Sequence, residues 1–255
     1  LEMMVIKVYN TILEIDPANL HAMDALMAVY ETGGRWNDLI KVLTRRTETA
    51  RRDDEKVRLL HRVATLWVEQ FKNFNKAVEP LEAILEIDPC NREAIAALKG
   101  IYEKRRAWKP LMALLQKELD LQENQDARNA IRVEMANLAA DKLNDQEAAI
   151  GLWWQISEED PANGEALATI EKLTERAKDW DGLVKVLKIR IDRATEREDR
   201  VNLHTKLGTI YKDRLSQPAL AAEVWKALLA VDPGNAKAMR SLKEAYQDAE
   251  DWTSL

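Results

Sequence analysis

The sequence predicts an all-α protein built from stacked helix pairs, and two observations carry that prediction. The first is a strict repeat of 72 residues without any insertion, visible in Pro17, Pro89, Pro161 and Pro233. The same interval separates Asn19, Asn91, Asn163 and Asn235, and also Trp36, Trp108, Trp180 and Trp252. The second observation is the helical spacing of apolar residues inside each period. A period that holds without gaps is typical of a stacked array of helical units.

The composition fits a soluble helical protein. Of its 255 residues, 46% are hydrophobic and 32% are charged, with only 8 Gly and 7 Pro, so the chain can bury a continuous core. The sequence contains neither an apolar run long enough for a membrane span nor a signal-peptide pattern. The single cysteine, Cys90, excludes an internal disulfide and leaves the compartment undetermined, with the cytoplasm slightly favoured.

Each period opens with a helix stop followed by a helix start. The residue before a proline is pushed out of the α region, so each Asp-Pro pair ends a helix. The asparagine two residues later is expected to cap the next helix, because its side chain can accept a free amide of the first turn. Met23, Leu26 and Tyr30 then share one helical face. After a short polar turn, Trp36 opens a second helix.

Two further helices complete each period, so that one period contains two helical hairpins. They are expected near 55–71 and 74–87, near 126–142 and 145–159, and near 199–214 and 218–231. The predicted double repeats are 17–88, 89–160 and 161–232, with a partial repeat at 233–255 and residues 1–16 as the last helix of a preceding unit. We expect a single segment of a longer array, whose uncapped ends could self-associate.

The hairpin LHTKLGTIYKDRLSQPALAAEVWKALLAVDP resembles a tetratricopeptide repeat. Its first helix carries Leu207, Gly208 and Tyr211, and its second carries Ala221, Trp225 and Leu228. The copies at 57–89 and 129–161 are similar, and the resemblance covers nearly the whole chain. It implies a right-handed α-solenoid of tetratricopeptide-like antiparallel helix pairs, with about 14 helices.

The alternate hairpins depart from the family pattern. Where the family has a small residue in the first helix, this chain has Met27, Lys99, Glu171 and Lys243. We therefore expect those hairpins to pack more loosely or at a different angle.

No feature of the sequence indicates catalysis or a cofactor. His21, His61 and His204 have no partner at a catalytic or metal-binding spacing, and no phosphate loop or nucleophile elbow occurs. We therefore expect a protein that is not an enzyme and that holds neither cofactor nor metal. The net charge of −6 and the pI near 5.4 argue against nucleic acid as a partner.

The resemblance also implies a location for binding. In the family, the first helix of each hairpin lines a concave groove that takes an extended peptide or a partner helix. Carried onto this sequence, the groove presents Arg58, His61, Arg62 and Thr65, then Val133, Asn137 and Asp141, then Asn202, Thr205, Lys206 and Thr209. The Lys-and-Asn clamp that some members use for C-terminal carboxylates is not reproduced, because only Asn137 fits it.

Trp154 has no structural counterpart in the other repeats, where Glu82 and Lys226 occupy its position. Two interpretations are open: an exposed anchor for a partner, or a side chain that folds over the neighbouring hairpin.

The predicted function is a non-catalytic scaffold that binds a peptide or helix of a partner protein in its groove. Two alternatives remain open. One is an RNA-processing scaffold of the related half-repeat type, which the acidic pI disfavours. The other is the recognition arm of a larger enzyme whose catalytic domain lies outside this segment.

Overall fold

A computed structural model describes residues 2–248 of the chain. Over that range it contains 14 α-helices and one five-residue π-helix, and it has no β-strand. The predicted all-α repeat and the expected number of helices are confirmed. The α-helices are α1 Glu2–Ile15, α2 Leu20–Thr32, α3 Trp36–Thr49, α4 Asp53–Glu69, α5 Phe74–Ile87, α6 Arg92–Lys104, α7 Trp108–Leu121, α8 Gln125–Leu138, α9 Gln146–Glu159, α10 Gly164–Ala177, α11 Trp180–Arg193, α12 Arg197–Asp213, α13 Pro218–Val231 and α14 Ala236–Asp248.

The backbone divides into two compact units, one ending at Arg128 and the other beginning at Asn129. A core in unit 1 gathers around Met23, Leu26 and Leu43, which are fully buried. The core of unit 2 runs through α9 to α14 and includes Ile156 and Leu183. In unit 1 each helix from α1 to α7 packs against the next along the chain, and in unit 2 the same holds from α9 to α14, as expected of a stacked array.

The repeated Asp-Pro-x-Asn motif forms a hydrogen-bonded turn between two helices. The predicted role of its asparagine as the N-cap of the second helix is confirmed. Asn91 accepts the amide of Ala94 at 3.0 Å, and the asparagines of the other copies do the same. Asp88 adds two bonds, accepting the Cys90 amide at 3.3 Å and the Asn91 side-chain amide at 3.0 Å. The aspartate therefore orients the capping asparagine while its own backbone closes the preceding helix.

The tryptophans that recur every 72 residues also stand at helix starts. Trp36, Trp108 and Trp180 are the first residues of α3, α7 and α11. The fourth equivalent, Trp252, lies outside the described residues, as does most of the last helix expected in the partial repeat at 233–255. The expected helix near 126–142 is divided at Leu138, where α8 gives way to a π-helix, Ala139–Leu143.

Two turn positions adopt the left-handed conformation in every complete copy. Gly34, Arg106 and Lys178 have φ between 53° and 65° and lie 72 residues apart; Lys72, Asn144 and Ser216 have φ between 52° and 54° and keep the same spacing. Left-handed backbone normally favours glycine, because it has no Cβ. Only one of these six positions is a glycine, so the repeat imposes its turn geometry on side chains that disfavour it.

The hairpins that resemble tetratricopeptide repeats pack closely through a small residue. A Cβ added to Gly208 of α12 would lie 2.6 Å from Cε2 and Cζ2 of Trp225 on α13, which is almost fully buried. The absent side chain thus makes room for the indole ring.

Two of the alternate hairpins, α6–α7 and α10–α11, have an ion pair in place of this close approach. Lys99 of α6 lies 2.8 Å from Glu118 of α7, and both side chains are about three-quarters buried. One period later, Glu171 of α10 pairs with Arg190 of α11. The two pairs occupy equivalent positions of successive repeats with their charges exchanged. In each, the charged residue that stands where the family has a small residue pairs with the second helix of the same hairpin.

Candidate functional site

The first helices of unit 1 are joined by polar contacts on one side of the unit. Arg62 of α4 forms an ion pair with Glu31 of α2. On its other flank, His61 of α4 lies 3.2 Å from the side-chain oxygen of Asn91 and 3.8 Å from Glu93, both at the start of α6. The side chains of α2, α4 and α6 on this side are called the first-helix surface of unit 1.

Unit 2 has an equivalent arrangement on α10, α12 and α14, the first-helix surface of unit 2. Lys206 of α12 lies 2.8 Å from Glu171 and 2.7 Å from Glu175, both on α10. Lys212 of α12 lies 2.7 Å from Glu244 of α14. The pairs Arg62–Glu31 and Lys206–Glu175 stand two periods apart at identical register. The sequence predicted these cations as groove residues, and the structure shows that they also bridge adjacent hairpins.

The remaining predicted groove residues are mostly solvent-exposed. Arg58, Thr65, Asn137, Asn202 and Thr209 are exposed on α4, α8 and α12, as is Asp141 in the π-helix, while Val133 and Thr205 are partly buried. Arg58 makes a long contact of 3.4 Å with Asp54 of its own helix, which leaves its guanidinium accessible. Thr209 donates to the Thr205 carbonyl. These side chains are available to a ligand without breaking an interhelical contact.

Electrostatics strengthen the link between α12 and α14. The Glu244 carboxylate beside Lys212 raises the pKa of that lysine, and the same hydrogen bond lowers the pKa of Glu244. Asp232, at the turn before α14, accepts a hydrogen bond from Asn235 and contacts Arg197 at 2.6 Å; the Asn235 bond is the main reason that its pKa is lowered.

Trp154 lies partly buried on α9 and packs against the core cluster of unit 2. The ammonium group of Lys185, on α11, stands 4.5 Å from its ring centroid, within the range of a cation–π contact. The structure therefore shows the side chain folded onto the neighbouring hairpin, which was the second of the two interpretations open from the sequence.

The histidines occupy three different environments. His204 is buried on α12, and its Nδ1 lies 2.7 Å from the Arg200 carbonyl. His21 stacks edge-on against Tyr9, and His61 is at the α6 cap. Residues 2–248 contain no cluster of three or more side chains that could hold a metal ion. Within the same range, every helix is too short or too polar to cross a bilayer.

Comparisons with known proteins give only distant similarities. No protein-family model and no curated protein sequence matches the chain. Among solved structures, a chain of the Naa15/Naa10 complex bound to HypK-THB is similar, with 16% identity and a TM-score of 0.49. That likeness covers 94% of this chain and 36% of the other, so this chain spans about a third of that protein's length.

Two further solved structures are TPR proteins. YrrB, a TPR protein with an unusual peptide-binding site, has 15% identity and a TM-score of 0.36 over 72% of this chain and 91% of its own. The C-terminal part of a TPR repeat-containing protein from Cytophaga hutchinsonii has 12% identity and a TM-score of 0.39 over 93% of both chains. The chain itself is an all-α array of repeated helix pairs.

Sequence reasoning located the exposed residues of the first helices but missed how they are joined. The signal was present in the register: Glu31 and Glu175 share a position, and so do Arg62 and Lys206. Opposite charges at a fixed offset of 31 residues, in two copies, could have indicated the interhelical pairs.

Proposed function

We propose that this tetratricopeptide-like chain is a non-catalytic scaffold whose first-helix surfaces bind an extended peptide or a helix of a partner protein. The observation that supports it best is the combination of fixed and accessible polar groups on one side of each unit. Arg62 and Lys206 are held by carboxylates of the preceding hairpins. Arg58, Thr65, Asn202 and Thr209 are exposed beside them.

Fixed side chains favour binding because less conformational entropy is lost when a ligand arrives. Long cationic side chains lose the most rotamer freedom on ordering, and here Lys206 is already ordered by two carboxylates. A peptide with backbone amides and acidic side chains could be bound by the exposed hydroxyl, amide and guanidinium groups between these pairs. The partner is proposed to be a protein, consistent with the acidic net charge of −6.

The test is a selection of peptides from a displayed random library on the wild-type chain, followed by fluorescence-anisotropy titration of the selected peptides. Arg58→Ala with Thr65→Ala alters unit 1 alone, and Asn202→Ala with Thr209→Ala alters unit 2 alone. Each double variant removes exposed side chains and keeps the interhelical ion pairs, so folding should be retained. We expect the Kd to rise at least tenfold in one of the two.

A matched control is Lys109→Ala with Gln116→Ala, which removes two exposed side chains from α7, the second helix of its hairpin. This variant should bind the selected peptides as the wild type does. If all three double variants bind equally well, or if the library yields no specific peptide, the first-helix surfaces are not the binding site.

A further inference from the structure

Unit 1 contains an open cleft on a different part of the molecule from the first-helix surface. Its volume is about 600 Å³, and it lies between α5 and α7, with α6 forming its floor. Ile95, Leu98 and Tyr102 of α6 contribute the floor, and Leu85 and Leu114 stand on the two walls. We call this the acidic cleft, because its charged lining residues are one lysine and four carboxylates: Lys117, Glu82, Glu86, Glu118 and Asp120.

Some apolar side chains in this cleft are only partly covered. Ile95 and Leu85 are partly exposed, and Leu121, at the end of α7, is 47% exposed. The equivalents of Ile95 in the neighbouring repeats, Met23 and Leu167, are 0% and 3% exposed. This position is therefore more open in the second repeat than in the first and third, and Met239, its equivalent in the partial fourth repeat, is 48% exposed.

The other two copies show what closes the equivalent space. In the first repeat, Arg45 stands at the register position of Lys117 and donates a hydrogen bond to the Leu13 carbonyl at 3.1 Å. One period after the cleft, Trp154 of α9 stands at the position of Glu82 and packs onto the core of unit 2. Lys185, at the position of Ala113, lies over the indole ring. The chain itself thus places an aromatic ring with a cation where the second repeat has an opening.

The charges around the acidic cleft complement the same combination. Glu82 accepts the Tyr102 hydroxyl at 2.8 Å and Glu118 pairs with Lys99, whereas Glu86 is exposed on the wall formed by α5. Asp120 is exposed on α7 and accepts only a neutral amide from Gln116. Because carboxylates outnumber the single lysine of the lining, a cationic group at the entrance would be attracted and an anionic one repelled.

We propose that the acidic cleft is a docking site for a segment of a partner protein that carries an aromatic side chain flanked by lysine or arginine. The ring enters between α5 and α7 and covers Ile95, from the position that Trp154 occupies against the core of unit 2. The flanking cations contact Glu86 and Asp120 at the entrance. This site is separate from the first-helix surfaces and does not depend on them.

The probe is a fluorophore-labelled 12-residue peptide with one central tryptophan and four lysines, titrated by anisotropy. Two altered peptides accompany it, one with the tryptophan replaced by alanine and one with the lysines replaced by glutamates. The full-length chain should bind the first peptide at least tenfold more tightly than either altered peptide. Equal binding of the alanine peptide, equal binding of the glutamate peptide, or no binding of the first would overturn the proposal.

The decisive protein variant is Glu82→Trp with Ala113→Lys, which copies the arrangement of Trp154 and Lys185 one period back into the acidic cleft. It should weaken binding of the tryptophan–lysine peptide at least tenfold. The control is Glu69→Trp, which adds the same ring at an exposed position of α4 outside the cleft and should leave the affinity unchanged. If the double variant binds as the wild type does, the cleft is not the site.

A second variant keeps the test valid should the filled cleft perturb folding. Glu86→Lys with Asp120→Lys reverses two exposed charges at the entrance and leaves the apolar floor untouched. We expect the tryptophan–lysine peptide to bind less tightly and the glutamate peptide to bind more tightly. An unchanged preference between the two peptides would contradict docking at this entrance.

Discussion

At the scale of single residues, the turns show how the repeat overrides local preference. Lys178 ends α10 in the left-handed conformation, with φ of 58°, and its backbone amide caps the helix by bonding to the carbonyls of Thr174 and Glu175. Its side chain is exposed. The lysine therefore contributes nothing visible to the turn except a backbone conformation that its Cβ disfavours.

We expect Lys178→Gly to stabilise the protein by about 1 kcal/mol, because glycine adopts a positive φ without the steric cost of a Cβ. Chemical denaturation monitored by circular dichroism measures the change. Lys172→Gly is the matched control, since it removes the same charge from an exposed position in the middle of α10. That substitution should destabilise by about 1 kcal/mol. Loss of stability in both variants would contradict the argument.

At the scale of helix pairs, two different devices hold the hairpins together. The α12–α13 pair packs through Gly208 against Trp225. The α6–α7 pair has a lysine where the family has a small residue, and it uses the Lys99–Glu118 ion pair instead. Each of these two contacts can be tested by mutation.

Gly208→Ala should destabilise the protein by about 1–3 kcal/mol, because the new methyl group overlaps a buried indole ring that has no free space to move into. Gly151→Ala provides the comparison: it lies inside α9 with no atom within 4 Å of the added Cβ. There alanine should stabilise by about 1 kcal/mol through helix propensity alone. Opposite signs in urea denaturation are the expected result, and equal signs would refute close packing at Gly208.

The exchanged charges of the alternate hairpins can be tested by a double-mutant cycle. Lys99→Glu places two carboxylates together and should cost about 1–2 kcal/mol, as expected for a pair that is only partly buried. Adding Glu118→Arg copies the Glu171–Arg190 arrangement of the next repeat and should restore most of the loss. The free energy of unfolding of all four proteins gives the coupling energy. A double variant that is as unstable as the sum of its single variants would show that the pair does not couple.

The α12–α14 contact should depend on pH in a defined direction. The pKa of Glu244 is lowered in the folded protein by its hydrogen bond to Lys212, so its contribution is present above the unfolded value of 4.5 and is lost as the pH falls through the folded value. The pKa of Lys212 is raised, so its contribution is present below 10.5 and is lost as the pH rises through the folded value.

Glu244→Gln should therefore lower the Tm at pH 7 and have a progressively smaller effect as the pH is lowered from 5 to 3. Thermal unfolding of wild type and variant across this interval measures it. Glu223→Gln, an exposed carboxylate of α13, serves as the control and should show a much smaller difference at every pH. A Glu244→Gln effect that does not change with pH would rule out the ion pair as its origin.

At the scale of the whole molecule, the sequence predicted the features that depend on residues close together along the chain, namely the ends and the number of the helices. Asp-Pro stops, asparagine caps and tryptophan starts act within a few residues, and the helices begin and end where these signals place them. The number of helices and the repeated hairpins followed from the same signals. Of the site, the resemblance to tetratricopeptide repeats implied that Arg58, Thr65, Asn202 and Thr209 lie on the first helices, where their side chains are exposed.

The remaining features depend on contacts between helices that are distant in sequence. Trp154 is covered because α11 supplies Lys185 and the core behind it, and no property of α9 alone reveals this. Four of the six left-handed turn positions give no sequence signal, because lysine, arginine or serine stands where glycine or asparagine would indicate a positive φ. The acidic cleft is visible only when Ile95 is compared with its buried equivalents in three dimensions.

The Asp-Pro-x-Asn turn has a consequence for how such a gene can change. Because Asp16 and Asp88 orient Asn19 and Asn91 through the same hydrogen bonds, the two turns are interchangeable junctions. Recombination between them would join an intact helix end to an intact helix start, in frame, and would add or delete one complete period. The protein could therefore be lengthened or shortened by whole periods during evolution without a new junction between helices. Later substitutions, such as those at the equivalent positions Glu82 and Trp154, would then make the copies different.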